Sequence, residues 1–310
     1  MSLPKFDVFF QTATGNLPYD YQIRLAESDA GQSCKSQLIS IPTGLGKTAA
    51  VVLAWLWNRV QLQNPKWPRR LVYCLPMRTL VEQTQEEVQK WLKVYDLNWD
   101  GKPKTRKGKV GVHILMGGEE AGEWDIYPEE NTILIGTQDM LLSRALNRGY
   151  GMSRYRWPMH FGLLNNDCLW VMDETQLMGV GVETSAQLDG LRHSGKMPIF
   201  GACPTWWMSA TLDDARLATV DHQKPDNGWP VEKLSDAEQS SGKAHDLLAA
   251  SKKLSSAPLT LSSEAKDYAG QLAKLVKERH QTGTLTLVVV NRVKRAQEIF
   301  EAVTTGKAGS

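Results

Sequence analysis

The stretch Ser40-Ile-Pro-Thr-Gly-Leu-Gly-Lys-Thr48 has the residue types and spacing that hold phosphate. Gly44 and Gly46 let the backbone curl so that N–H groups around Thr43 to Gly46, including that of Leu45, face anionic oxygens. A following helix would aim its positive end at the same point. Lys47 would then reach the β and γ phosphates, and the Thr48 hydroxyl would bind Mg²⁺. The strict phosphate-loop pattern has Gly where this chain has Ile41, so the match is to its core rather than to its full length. Such a loop needs a carboxylate to hold the metal and polarise water. Leu169-Trp-Val-Met-Asp173-Glu174 supplies one, because four apolar residues carry Asp173 to the carboxyl end of a buried strand, where ligands bind in open α/β sheets. Asp173 is then the Mg²⁺-side acid, and Glu174 orients or deprotonates the attacking water. Gln22, upstream of the loop, offers an amide that donates and accepts at once, as the edge of adenine requires.

The elements that must position these groups follow from hydrophobic periodicity. Short apolar runs at Gln37 to Ile41, Leu71 to Leu75, Gly111 to Met116, Thr132 to Ile135, Cys168 to Met172 and Thr205 to Met208 are predicted strands. Helices are predicted over Lys47 to Val60 and Thr79 to Tyr95, and from near Asp139 and Val182. In the second of these, Leu80, Val81, Thr84, Val88, Trp91 and Leu92 share one face. Strands alternating with helices imply an α/β lobe with a mostly parallel, doubly covered sheet. Residues 213–256 read as polar and helical or irregular. A fresh βαβ-like pattern then runs through Leu259 to Leu261, a helix from Glu264 to His280, a strand from Thr284 to Val290 and a helix from Arg292 to Val303.

Composition bounds the alternatives. The chain has 310 residues, with 36 Lys and Arg against 34 Asp and Glu, so its total charge does not announce nucleic acid and any such contact must come from local patches. The four cysteines are far apart, without the close pairs of zinc sites or redox dithiols, which fits a reduced cytoplasmic setting. The opening residues do not form a signal peptide, and the longest apolar run, Ala49 to Trp57, is about half of what a membrane span needs.

Taken in order, Gln22, Pro42 to Thr48, Pro76-Met-Arg-Thr-Leu80, Gly117-Gly118, Thr137-Gln-Asp139, Asp173-Glu-Thr-Gln176 and Ser209-Ala-Thr-Leu212 resemble the first RecA-like lobe of a superfamily 2 helicase. The tetrad Asp-Glu-Thr-Gln differs from the strings after which the RNA helicases of that superfamily are named. Asp173 to Gly179, with Asp-Glu-x-Gln-Leu-Met before Gly, is similar to the CRISPR-associated type I helicase–nuclease family, and Asn147 to Gly162 to its subtype with an amino-terminal helicase and a carboxy-terminal HD nuclease. The resemblance implies that Gln22 reads adenine of ATP, that Lys47 and Thr48 handle phosphate and Mg²⁺, and that Asp173 and Glu174 carry hydrolysis. It further implies that Arg78, Thr79, Gly117, Gly118, Thr137 and Gln138 line the path of single-stranded DNA, and that Ser209 and Thr211 couple hydrolysis to strand movement. The implied partners are a CRISPR RNA-guided surveillance complex in antiviral defence, the remaining helicase lobe and the HD nuclease domain.

On this reading residues 1–235 form a RecA-like ATP-binding domain and 236–310 the beginning of a second RecA-like lobe. Leu287 to Ala296 resembles the opening strand and helix of that lobe, and no Gln-x-x-Arg-x-x-Arg arrangement follows. The chain is therefore expected to be an amino-terminal piece of its parent, with weak ATP binding and little unwinding of its own. A different superfamily 2 DNA translocase, or a non-catalytic nucleotide-dependent recruitment module, are the alternatives. Two basic stretches stay open at this level. Lys102, Lys104, Arg106, Lys107 and Lys109 form either a nucleic-acid contact or a solvated run. Arg144, Arg148, Arg154 and Arg156, interleaved with Tyr150, Tyr155, Trp157 and Phe161, form either a single-strand surface or a packing insert. His245-Asp246 reads as an incidental pair, not a nuclease centre.

Overall fold

The apolar runs read from the sequence become strands because both faces of each are covered, so every side chain along them has a core to enter. The computed structural model describes residues 5–27, 34–117, 124–197, 199–211, 213–251, 253–257, 259 and 267–305. Two helices, α1 (Phe6–Thr14) and α2 (Asp20–Glu27), precede strand β1 (Gln37–Ser40) and helix α3 (Lys47–Trp55), which continues as a π-helical stretch over Leu56–Gln61. Then come β2 (Arg70–Leu75), α4 (Arg78–Val94), β3 (Gly111–Leu115), β4 (Thr132–Thr137), α5 (Gln138–Ala145), α6 (Trp157–Leu164), β5 (Cys168–Met172), α7 (Gly181–His193) and β6 (Thr205–Met208). The segment that composition marks as polar contains β7 (Val231–Lys233), α8 (Asp236–Ser240) and α9 (Gly242–Ala249).

The seven strands form one sheet in the order β3-β4-β2-β5-β6-β1-β7, and every pairing in it is parallel. Register puts Tyr73 of β2 opposite Val171 of β5 and Ile135 of β4. Alternation with period two then sorts the side chains. Ile39, Leu71, Tyr73, Ile133, Leu169, Val171 and Trp206 face the core shared with α1 to α4, while Leu38, Val72, Leu134, Trp170, Met172 and Trp207 face the core shared with α5 to α7. The two neighbouring tryptophans of β6 thus serve opposite cores, and truncating either to Ala would cost roughly 3–5 kcal/mol. Helix α4 shows how the pattern sets a boundary. Val81, Thr84, Val88, Trp91 and Leu92 are its buried stripe, and the helix stops where Asp96 takes a left-handed φ of 50° and Leu97 N–H returns to the Leu92 carbonyl.

The first compact unit runs to Ala249. Residues 231–249, which look from composition like part of a linker, are held to the amino-terminal helices by charge. Arg24 of α2 bonds Glu232 at 2.7 Å and Glu238 at 3.0 Å, and Glu238 also closes a capping box with Ser235 and accepts the Tyr21 N–H at 2.9 Å.

The second unit, 250–310, is described mainly by two helices, α10 (Tyr268–Arg279) and α11 (Val293–Thr305), with Ala273, Ile299 and Ala302 buried. Asp267 caps α10 by accepting the Gly270 N–H. Here the sequence reading needs correcting, because Thr284 to Val290 is not a strand: Leu285, Leu287 and Val289 are 80–94% exposed. A run with strand periodicity becomes a strand only when a ladder partner takes its N–H and C=O groups, and among the described residues none does. Of the expected strand Leu259 to Leu261, residues 260 and 261 lie outside the described residues, and the expected helix start at Glu264 does so too. No helix among the described residues is long and apolar enough to cross a membrane.

Candidate nucleotide site and nucleic-acid edge

Every candidate site residue that the structure describes lies at the carboxyl edge of the sheet or on a helix that abuts it. The loop after β1 turns through Gly44 (φ 89°) and Gly46 (φ 72°), a backbone region that L side chains avoid. A Cβ at Gly44 would meet nothing within 4 Å, so the concave side of the turn is open. A Cβ at Gly46 would sit 2.9 Å from the Gln22 amide nitrogen. That amide is a clamp on the loop: it donates to the Gly46 carbonyl at 3.0 Å, while its oxygen accepts the Tyr19 N–H at 2.9 Å. Tyr21 acts alongside it, its hydroxyl donating to the Leu45 carbonyl at 2.6 Å. A cleft of about 410 Å³ opens here, lined by Tyr19, Gln22, Gly44, Gly46 and Lys243 among others.

Lys47 is buried, and its ammonium donates to the Ile41 carbonyl at 3.2 Å, arching over the turn. An ammonium has three donors, so a buried one with a single printed protein partner fits an incoming anion. Asp173, 5% exposed at the end of β5, faces the loop from two strands away. Between them stands Tyr73 of β2. Its hydroxyl donates to Asp173 Oδ2 at 2.8 Å and lies 3.3 Å from the Thr48 hydroxyl, linking the loop to the carboxylate. Burial raises the Asp173 carboxyl to about 6, helped by the charge of Glu174, while the Tyr73 hydroxyl and Lys47 pull the other way. Burial likewise pushes the Tyr73 phenol well above its usual range, with the Asp173 charge adding to it, so it stays protonated and donating. A carboxylate held dry and short of positive charge, a threonine hydroxyl beside it and a loop of outward N–H groups fit a metal–triphosphate ion pair. Among the described residues no group of three or more His, Cys, Asp or Glu could hold a metal, so such an ion would draw its remaining oxygens from phosphate and water.

From Asp173 the hydrogen bonds continue along the edge. Glu174, in a left-handed conformation (φ 54°), donates its N–H to Asp173 Oδ1 at 2.9 Å and receives the Gln176 amide on its carboxylate. Gln176 Oε1 accepts the Ser209 hydroxyl at 2.7 Å, and Ser209 Oγ accepts the Thr211 N–H at 3.0 Å. The acid after β5 and the loop after β6 are therefore one connected line. Two of its members, Tyr73 and Gln176, were not singled out from the sequence. A residue with a polar tip inside an otherwise apolar strand was the available signal for Tyr73.

The residues expected along a nucleic-acid path gather on the other half of the edge. Arg78 and Thr79 are exposed at the start of α4, Gly117 follows β3, and Thr137 and Gln138 join β4 to α5. Thr137 Oγ1 and Gln138 Oε1 are buried without a hydrogen-bond partner. Gly118 lies outside the described residues. The first basic stretch folds back on acids: Arg106 pairs with Glu129 and Glu130 and lies over the Tyr127 ring at 4.4 Å, and Lys109 pairs with Asp96 at 2.8 Å. The second stretch divides. Arg144 is buried against the Met140 carbonyl and Arg156 pairs with Asp125, whereas Arg148, Arg154, Tyr150 and Tyr155 face solvent. His245 and Asp246 form an exposed pair at 3.3 Å on α9.

The family profile described as DEAD/DEAH box helicase matches residues 22–220, from the Gln22 clamp past the Ser209 line. The chain belongs to this family. Its first unit is a RecA-like helicase lobe, and solved structures agree at the level of fold. The DUF1998 helicase MrfA is similar over 98% of this chain and 41% of its own, at 15% identity and a TM-score of 0.59. S. cerevisiae Dbp5, in a complex that contains ADP, is similar over 97% of this chain and 73% of its own, at 16% identity and a TM-score of 0.51. The chain spans 41–46% of the length of the first solved structures it matches. No curated protein matches it.

Proposed function

We propose that this chain is the ATP-hydrolysing lobe of a helicase or translocase that moves on single-stranded DNA, and that its parent is a CRISPR-associated type I helicase–nuclease. The observation that carries the motor reading is the continuous line from Thr48 through Tyr73, Asp173, Glu174 and Gln176 to Ser209 and Thr211. It runs from the phosphate loop to the coupling loop without a break. Lys47 and the loop N–H groups bind the phosphates, Asp173 and Thr48 would hold Mg²⁺, and Glu174 orients the attacking water and takes its proton. Mg²⁺, when bound, supplies positive charge to the phosphate oxygens. Gln22 keeps the loop in its binding shape, and contact with adenine requires it to share or exchange its present partners. Residues 250–310 contribute the start of a second lobe, with a surveillance complex and an HD nuclease as partners of the cytoplasmic parent. The DNA and CRISPR parts of this reading rest on the sequences Asp173 to Gly179 and Asn147 to Gly162.

The test is titration of the full chain with a fluorescent ATP analogue and Mg²⁺, with and without a single-stranded oligonucleotide. The reading expects binding that is lost in Lys47→Ala and that tightens when the strand is present, since a motor couples its two ligands. Nucleotide affinity that ignores the strand would favour a recruitment module, and equal tightening by oligoribonucleotide would remove the DNA assignment.

A further inference from the structure

We infer that the segment 147–155 between α5 and α6 is an accessory binding surface for single-stranded nucleic acid, with Tyr150 and Tyr155 stacking on bases and Arg148 and Arg154 gripping phosphates. The inference rests on the motor-lobe reading and adds to it a site outside the conserved helicase elements. Tyr155 is 97% exposed and Tyr150 66%, with Arg148 and Arg154 exposed between and beside them. No acidic residue occurs from 140 to 166, so nothing in the chain segment itself repels a phosphate backbone.

These side chains stand on a fixed base. Ser143 accepts the N–H groups of Arg148 and Gly149 on its carbonyl, at 2.8 and 3.1 Å, and that of Tyr150 on its hydroxyl at 3.2 Å. Asn147, Gly149 and Gly151 take left-handed conformations, and a Cβ at Gly149 would lie 2.3 Å from the Trp157 ring, so the turn is built around the absence of a side chain there. Trp157 Nε1 donates back to the Gly149 carbonyl at 3.2 Å. At the foot of the segment Asp125 receives Arg156 and, at 2.8 Å, His160. The same stretch that could have been packing throughout is therefore half anchor and half display. Rigid aromatic faces with flanking guanidinium groups bind single strands, because every base has a π-face and stacking tolerates any sequence. Placement agrees: α5 begins at Gln138, on the expected strand path, and ends at this segment eight residues later, about 12 Å along its axis.

The experiment is fluorescence anisotropy of a labelled 20-nucleotide oligo-dT with the full chain across a salt series. Tyr150→Ala with Tyr155→Ala should raise Kd about tenfold or more, and Tyr→Phe at both positions should restore it. Arg148→Ala with Arg154→Ala should reduce the salt slope by about 1.4, or 0.7 for each phosphate contact. Nucleotide binding and thermal stability should not move in either variant, because all four side chains are exposed and outside the phosphate loop. Unchanged Kd and slope would overturn the inference, as would equal competition by a duplex or a wild-type chain that binds no oligonucleotide. If nucleotide binding persists in that last case, this surface fails while the ATP-binding part of the functional reading survives. Oligonucleotide binding that ignores the variants, together with a protein partner whose capture depends on them, would reassign the surface to protein.

Discussion

Replacing Asp173 by Asn should make the nucleotide-free protein more stable at neutral pH. The carboxyl titrates at about 6 in the folded chain against an ordinary value of 3.8, and its burial is nearly complete. Between pH 4 and 6 the folded state therefore holds more protons than the unfolded state, and stability falls as pH rises through that window. By pH 7.5 the loss amounts to about 3 kcal/mol, from a gap of about two pH units at 1.36 kcal/mol each. Asn carries no charge, and its amide fits the same partners: the oxygen accepts the Glu174 N–H, and the NH₂ donates to the Tyr73 oxygen, freeing the phenol proton for Thr48. Exchanging charged for neutral hydrogen bonds gives back about 1 kcal/mol, leaving a net gain of about 2 kcal/mol at pH 7.5. Urea unfolding of both proteins at pH 4 and pH 7.5 measures this. The gain should be present at pH 7.5, absent at pH 4, and accompanied by loss of ATP hydrolysis. A variant equally or less stable at pH 7.5, or a gain that does not change with pH, would refute the view that Asp173 is held in a dry, charge-poor position for the sake of a cation.

Ser209→Ala should leave basal ATP turnover within about threefold while abolishing its stimulation by a single strand, because it cuts the line between Gln176 and Thr211 without touching the phosphate loop. Turnover assays with and without oligonucleotide read this directly, and retained stimulation would count against the line as a coupling path. On the opposite side of the lobe, Asp189 hydrogen-bonds His193 and raises its pKa above the usual 6.5. A raised His pKa means stability that is present at lower pH and lost as pH climbs through the raised value. His193→Gln should therefore lower the melting temperature at pH 6 and change it little at pH 9, and thermal scans at the two values check the sign.

Most of the first lobe was legible because its signals are local. The loop from Pro42 to Thr48 needs only its own residue types, and β2, β5 and β6 announce themselves as unbroken apolar runs that a doubly covered sheet demands. Strand β7 and helices α8 and α9 were hidden, since their anchorage comes from Arg24, more than 200 residues away in sequence, bonding Glu232 and Glu238. Thr284 to Val290 misled for the converse reason: alternation of apolar residues is a statement about what a segment could pair with, and pairing is decided elsewhere. The 144–161 stretch could not be resolved either, because whether an arginine faces in or out depends on Asp125 and the Met140 carbonyl, which only folding brings near.

By itself the sequence determined the chemical inventory of this protein: a phosphate loop, an acidic pair at a strand end, a serine–threonine loop, and their order along the chain. Order and residue type are enough for that, because each motif works through its own backbone or its own strand. Tertiary structure decided how the inventory is wired. Parallel pairing of β2 with β5 puts the Tyr73 hydroxyl between Thr48 and Asp173, and the adjacency of β5 and β6 lets Gln176 reach Ser209. Contacts between residues 25 to 125 positions apart exist only once the sheet has formed, and it is those contacts that turn separate motifs into one site.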